Sequence, residues 1–341
     1  MKCILFLNRK KLMIKLRYML LLAALISCKG SEKKTASGIF KIKLDHHQIS
    51  SGDNRPNFNP YKDSIDYFLY ALHIGIRPEE FARAAGWPDS MLKNKIKELQ
   101  QSDFLPKTDG EKLLPTCMII TQETGKQLFM QSENVAREIA DSIQSFIPML
   151  LEAYPKLSFS GKHSFDEMSF FLLSDVLLDN WQINNVEKGF VKQPRTARHG
   201  KNYFYQIAEL NPDDSTEVFG IYGNQVMCND TVCVAVFGNR RSGIKLDTYF
   251  NRNDLPFITP ADENIFKDMA GRFKPMLLPV LEKHRPAFED SYNKSMYVHE
   301  ISFTEYFMWL YHFIYTKASD ILVQQGLIKM PEGNNFIYSG K

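Results

Sequence analysis

The chain has 341 residues, 44% of them apolar and 13% aromatic, which is enough for two or three cores and excludes a disordered polymer. Its 42 basic and 39 acidic side chains leave +3, but six of the basic ones and none of the acidic ones lie in residues 1–27. The remainder carries 36 against 39, or −3, which excludes a globally basic, nucleic-acid-seeking surface.

Residues 1–27 place Lys2, Arg9, Lys10, Lys11, Lys15 and Arg17 ahead of an apolar run over 19–26, closed by Ser27 and Cys28. A basic flank, a greasy core and a small residue at the cut make a secretory signal; the core is shorter than the ~20 residues of a membrane-spanning helix. A start at Met13 instead of Met1 gives a more compact signal. The final Leu25-Ile26-Ser27-Cys28 resembles the lipobox of bacterial lipoproteins. That resemblance implies a diacylglyceryl group on the Cys28 thiol, cleavage before it, and an acyl chain such as palmitate on the new amino terminus. Two or more acyl chains anchor stably where one is marginal. The body is then expected outside the cytoplasm, at a membrane. Lys29 stands where enteric sorting places an inner-membrane retention Asp, which points to an outer membrane and leaves the periplasmic or surface face open.

Residues 28–60 are rich in Lys, Gly, Ser, Asn and Pro and read as a flexible tether, with His46 and His47 inside it and no organised metal site expected. Over 61–120 the pattern predicts three helices. The first spans Ser64 to Leu72. The second opens at Pro78-Glu79-Glu80 and ends at Gly86, and the third puts Leu92, Ile96 and Leu99 on one face. Phe104-Leu105, an Asp109-Gly110 turn and residues 117–120 read as a hairpin. Three helices and a hairpin resemble a winged helix-turn-helix module, and residues 119–128 resemble the junction after the wing in MarR-like regulators.

The rest reads as a diverged tandem repeat. Phe146-Ile-Pro-Met-Leu-Leu151 returns as Phe273-Lys-Pro-Met-Leu-Leu278, and Ser164-Phe-Asp-Glu167 as Ser302-Phe-Thr-Glu305. Gly189-Phe-Val-Lys192 returns as Gly326-Leu-Ile-Lys329, and Tyr203-Phe-Tyr205 as Phe336-Ile-Tyr338. Residues 121–210 and 258–341 are thus expected as helical plus winged-helix-like repeats, with longer helices at about 122–153 and 261–283. Residues 211–257 lie between them as an antiparallel β segment, from the alternation between Glu217 and Tyr249. The expected fold is mainly α with short β-hairpins (α+β): tandem winged-helix-like units with a small antiparallel β insert.

Signals of chemistry are few. Cys228 and Cys233 flank a short turn; outside the cytoplasm they are permitted to bond, and spacing leaves both the bonded and the free state open. Cys117 sits in an apolar run and reads as core. Glu167 and Glu305 each stand three after a helix-opening Ser, which predicts capping boxes, and Thr259-Pro-Ala-Asp262 is a related helix start. No HExxH, zinc-finger spacing, GxSxG, SxxK, P-loop or GxGxxG occurs, so no catalytic residue, metal ligand or cofactor is expected. The loop Arg195, Arg198, His199, Lys201 is a candidate anion-binding loop, and Lys93, Lys95 and Lys97 decorate the third helix.

These features point to a membrane-anchored lipoprotein of the cell envelope acting as a non-catalytic interaction or binding protein. Grooves between the units and the aromatic residues Tyr203, Tyr205, Phe336 and Tyr338 are its candidate contacts. Its expected partners are the membrane, through the lipid, and an envelope protein or glycan; nucleic acid is not expected. Two alternatives stand beside this: an envelope enzyme with a discontinuous active site, and a membrane-tethered DNA-binding winged-helix protein.

Overall fold

A computed structural model describes residues 34–50, 54–107, 112–210, 223–238 and 244–341. Cys28, the signal and the Asp109-Gly110 turn lie outside the described residues. The fold is mainly α with short β elements, of the α+β kind.

The segment expected as a tether joins the fold at Lys34. A 3-10 turn at Gly38–Lys41 buries Ile39, and strand β1 (Leu44–Ile49) follows. Composition hides this strand, because it buries polar side chains instead of apolar ones. The His46 ring, 3% exposed, meets the Tyr205 hydroxyl at 2.7 Å and Asp66 at 3.3 Å. A buried imidazole with two partners costs far less than an orphaned one, so a strand with one buried aliphatic residue is stable here.

Helices α1 (Ile65–His73), α2 (Pro78–Ala85) and α3 (Asp89–Gln101) follow, as the pattern predicts. Pro78 occupies the first position of α2. Gly86, at φ 70°, ends it by donating its N–H to the carbonyls of Ala82 and Arg83, a left-handed cap that a side chain disfavours. Phe68, Phe81, Trp87 and Leu99 form a separate small core roofed by Ile119, Tyr203, Tyr205 and Ile207.

Strand β2 (Met118–Ile120) runs into Thr121, which caps α4 (Gln122–Gln131) by accepting from the Thr124 N–H; α5 (Glu133–Ala153) continues the layer. The Ser164–Glu167 capping box opens α6 (Phe165–Phe170), which passes into a buried π-helical turn over Phe171–Val176. After the short α7 (Ile183–Val186), strands β3 (Ala197–Arg198) and β4 (Lys201–Asn202) pair around His199 and Gly200, both at positive φ, as a two-residue hairpin turn requires. Strand β5 (Phe204–Glu209) then lies between β1, antiparallel, and β2, parallel.

The second half repeats this plan. Strands β6 (Asn224–Cys228) and β7 (Cys233–Gly238) form a hairpin, and β8 (Phe257–Ile258) leads through Thr259 into α8 (Pro260–Lys294). Helix α9 (Phe303–Gln324) and strand β9 (Asn335–Gly340) complete it, with β9 antiparallel to β7 and parallel to β8. The sheet orders β1-β5-β2 and β7-β9-β8 are equivalent, with β6 added outside β7. In each half the strand entering the helices is parallel to the strand leaving them. Ile120-Thr121 and Ile258-Thr259 mark the same corner.

In each repeat the aromatic strand is flanked on both sides, β5 by β1 and β2 and β9 by β7 and β8. Phe204 and Ala208 enter the main core while Tyr203, Tyr205 and Ile207 enter the smaller one, which is why Tyr203, Phe204 and Tyr205 show no polar alternation. The antiparallel segment expected over 211–257 likewise belongs to the second repeat's own sheet, through β7 and β9; residues 211–222 and 239–243 lie outside the described residues.

One core spans both halves. Helix α9 is buried without interruption from Thr304 to Thr316 and packs against α4, α5 and α8. The repeat-matched Phe146 and Phe273 meet across the seam with ring centroids 5.3 Å apart.

Asp262 ties the halves at a second place. It is 1% exposed and accepts from the Thr259 N–H (2.8 Å) and hydroxyl (2.6 Å), completing a capping box. It also accepts from the Ser158 N–H (2.8 Å) and hydroxyl (2.6 Å), in the connection between α5 and α6. Burial pushes its carboxyl pKa up, but the hydrogen bonds from Ser158 and Thr259 outweigh burial and hold it below the usual value. A depressed carboxylate stabilises fully above its unfolded pKa, about 4, and that contribution is lost as pH falls through the folded pKa. Asp262→Asn is expected to lower stability by about 1–3 kcal/mol at pH 7 and to flatten the loss of stability below about pH 4. Urea unfolding of both proteins across pH 3–7 measures this. Parallel pH profiles would contradict it.

Candidate functional site

The two arginines of the candidate anion-binding loop are engaged within the chain. Arg198, in β3, is fully buried, and its guanidinium donates to both Glu305 oxygens (2.9 and 2.7 Å) and to the Tyr203 carbonyl (2.7 Å). It also reaches the Thr116 carbonyl. Burial alone would lower its pKa, but the Glu305 charge and hydrogen bonds more than offset that and raise it. Arg195 is bonded to Glu187 at 2.9 Å. The His199 N–H donates to Asp103 at 2.7 Å, and Lys201 lies on β4. Of the four residues expected to grip an anion, both arginines are thus held by carboxylates of the chain itself.

Glu305 departs from expectation for the same reason. Its N–H is capped by the Ser302 hydroxyl at 3.2 Å, but its carboxylate turns away from the helix start. There it accepts from Arg198, the Thr196 hydroxyl (2.8 Å) and the Tyr205 N–H (3.1 Å). A buried guanidinium is a stronger partner than the terminal backbone N–H of a full capping box. Glu167, with no such partner, keeps the full box. Cys228 and Cys233 are bonded to each other, whereas Cys117 is a buried thiol whose pKa burial pushes far up.

Glu305 begins a stripe along α9. Trp309, His312 and Thr316 follow at helical spacing, with only apolar and aromatic residues between them. Trp309 and His312 form one wall of a cleft of about 400 Å³. The end of β1 (His47 to Ser50), the residues flanking the start of α7 (Asp179, Asn180, Ile183, Asn184), Arg195, and Asn224 at the start of β6 supply the others. Elements of both repeats therefore build the cleft, and its size is within the roughly 300–1,000 Å³ of small-molecule sites.

Most of its charged groups are already engaged. His47 meets Asp45 at 3.2 Å; burial raises the Asp45 pKa, but the hydrogen bond and charge of His47 dominate and bring it to about 2. Arg195 is paired as above, and the His312 Nδ1 lies 2.7 Å from the Met308 carbonyl. Two polar atoms remain unmatched. The indole N–H of Trp309, a residue 1% exposed, has no hydrogen-bond partner. Asn224 donates to the Tyr338 hydroxyl at 2.7 Å, but its side-chain oxygen has none. Buried polar atoms without partners cost about 1–3 kcal/mol each; others lie outside this cleft, two of them on Gln206.

Among the described residues, no group of three or more His, Cys, Asp or Glu side chains is placed to hold a metal ion. The chain matches no protein-family model, no curated protein and no solved structure. The sequence reading missed Trp309, Asn180, Asn184 and Asn224. The one available signal was the stripe on α9.

The Arg198–Glu305 pair gives a sharp test of this geometry. Removing either partner alone, by Arg198→Ala or Glu305→Ala, is expected to cost about 3–5 kcal/mol, because it strands a buried charge. The double replacement Arg198→Met with Glu305→Leu is expected to cost much less than the sum of the singles. Denaturant unfolding of the four proteins measures the coupling, and single variants within about 1 kcal/mol of wild type would refute a buried pair.

Proposed function

We propose that this protein is a non-catalytic binding protein of the cell envelope, anchored by lipid at Cys28, with the cleft between its repeats as its binding site. The observation that carries the reading is the cleft itself: a hollow of about 400 Å³ built from both repeats and lined mostly by polar side chains. The extracytoplasmic placement draws support from the Cys228–Cys233 bond, which persists most readily in oxidising compartments.

The reading also revises the tether. Five residues separate Cys28 from Lys34, where the described fold begins, and the six steps between them reach at most about 20 Å when fully extended. The body therefore sits close to its membrane, and the cleft works near the bilayer surface. The DNA-binding alternative loses two cations it needs: Lys95 is paired with Asp63 (2.9 Å) and Glu98 (3.0 Å), and Arg198 with Glu305.

Metabolic labelling with an alkyne fatty acid, wild type against Cys28→Ala, tests the anchor. Protease access in intact cells and spheroplasts tests the side of the membrane. Label lost in the variant, with the body cut outside the cytoplasmic membrane, is the expected result. An unlabelled wild type with a body protected in spheroplasts would contradict the proposal.

A further inference from the structure

We infer that the corner of the molecule where the chain enters, at Lys34, is a docking surface for an anionic phospholipid bilayer, an inference that rests on the Cys28 anchor proposed above. The entry point is fixed by Glu209, at the end of β5. Its Oε2 accepts from the Lys34 ammonium and from the Gln122 N–H (3.1 Å) at the start of α4. An acyl group on Cys28 is thereby tied within about 20 Å of this corner.

The exposed side chains around that point suit such a surface. Lys43 stands across the ladder from Leu210, whose N–H donates to its carbonyl at 2.9 Å, so the two side chains share one face. The Gln122 side chain donates to the Leu210 carbonyl at 3.4 Å. Lys126 and Met130 follow Gln122 at helical spacing, about 6 and 12 Å along α4. Met130 is 68% exposed and Leu210 37%, and both are apolar groups that a headgroup layer takes up more readily than water. Lys43 and Lys126 are exposed and in no ion pair among the described residues, while Asp45, two residues past Lys43, is taken up by His47. With Lys29, Lys33 and Lys34, this corner and its tether gather five lysines against Glu32, Glu123 and Glu209, although residues 28–341 together carry −3. A negative bilayer thus attracts this corner and repels the remainder.

Holding the chain from Lys29 onward on vesicles, by an amino-terminal histidine tag and a nickel-chelating lipid, restores the tether without acylation and tests this. The vesicles are otherwise phosphatidylcholine, alone or with about one-third phosphatidylglycerol. An environment-sensitive dye is carried by Met130→Cys or, as a control, by Ala84→Cys, exposed on α2 in the small-core segment across β5. Cys117 is buried and Cys228 and Cys233 are bonded, so the added thiol takes the label. The Met130 dye is expected to shift to the blue on the anionic vesicles alone, and to shift back in about 0.5 M salt. Lys43→Gln with Lys126→Gln is expected to lower the docked-to-free ratio about twentyfold. Thermal melts confirm that each variant is folded. A dye at Met130 that ignores anionic vesicles, responds equally to neutral ones, or shifts less than the dye at Ala84 would overturn the surface. So would a shift that follows protein concentration without vesicles, which marks a second copy as the occupant. Each of these leaves the anchor standing. The anchor fails separately, through an unlabelled wild type in the fatty-acid experiment, and that result removes the tether that brings this corner to a membrane.

Discussion

A buried carboxylate, Glu305, fixes how the two halves of the molecule meet. A charge in that position is tolerable only if it is fully paired and hydrogen-bonded. The helix that carries it belongs to the second repeat, and every partner it finds belongs to the first: Arg198 and Thr196 at the β3 hairpin and the Tyr205 N–H on β5. The registration of α9 against the first sheet is therefore set by electrostatics as well as by packing. Trp309 and His312 lie one and two turns further along the same helix. Where Glu305 is held, they are held too, and with them one wall of the cleft.

Duplication supplies the rest of the frame. Each repeat brings a strand, a helical layer and a returning parallel strand, with an earlier strand paired antiparallel on the other side. A parallel return needs helices across the sheet, and here the helices of both repeats merge into a common core around α9. The three-helix segment between β1 and β2 is an insertion into this plan. It has its own small core and shares β5 as a roof, since successive residues of that strand point into different cores. His73 on α1 ties it to the second repeat through Glu300 at 2.9 Å, with both side chains buried.

What the sequence revealed and concealed follows from the range of the forces involved. Helix starts are local: Ser164 with Glu167, Thr259 with Asp262 and Pro78 with its following acids are written in neighbouring residues. The order of the repeated motifs was also legible. The pairing of strands was not, because Tyr203-Phe-Tyr205 carries no mark of which strands will flank it. β1 went unread because its stability comes from partners far along the chain, Tyr205 above all. Glu305 looked like Glu167 in sequence, and only the distant Arg198 separates their roles. The cleft was hidden for the same reason, being assembled from five separated segments.

The central claim is that the repeats are one cooperative body joined through α9, and native-state hydrogen exchange on the whole chain tests it most directly. The account predicts that the amides of α5, β5 and α9 exchange slowest and together, with the free energy of global unfolding. Exchange of α9 and the β7–β9 sheet well ahead of α5 and β5 would show that the second repeat opens alone, and would contradict it.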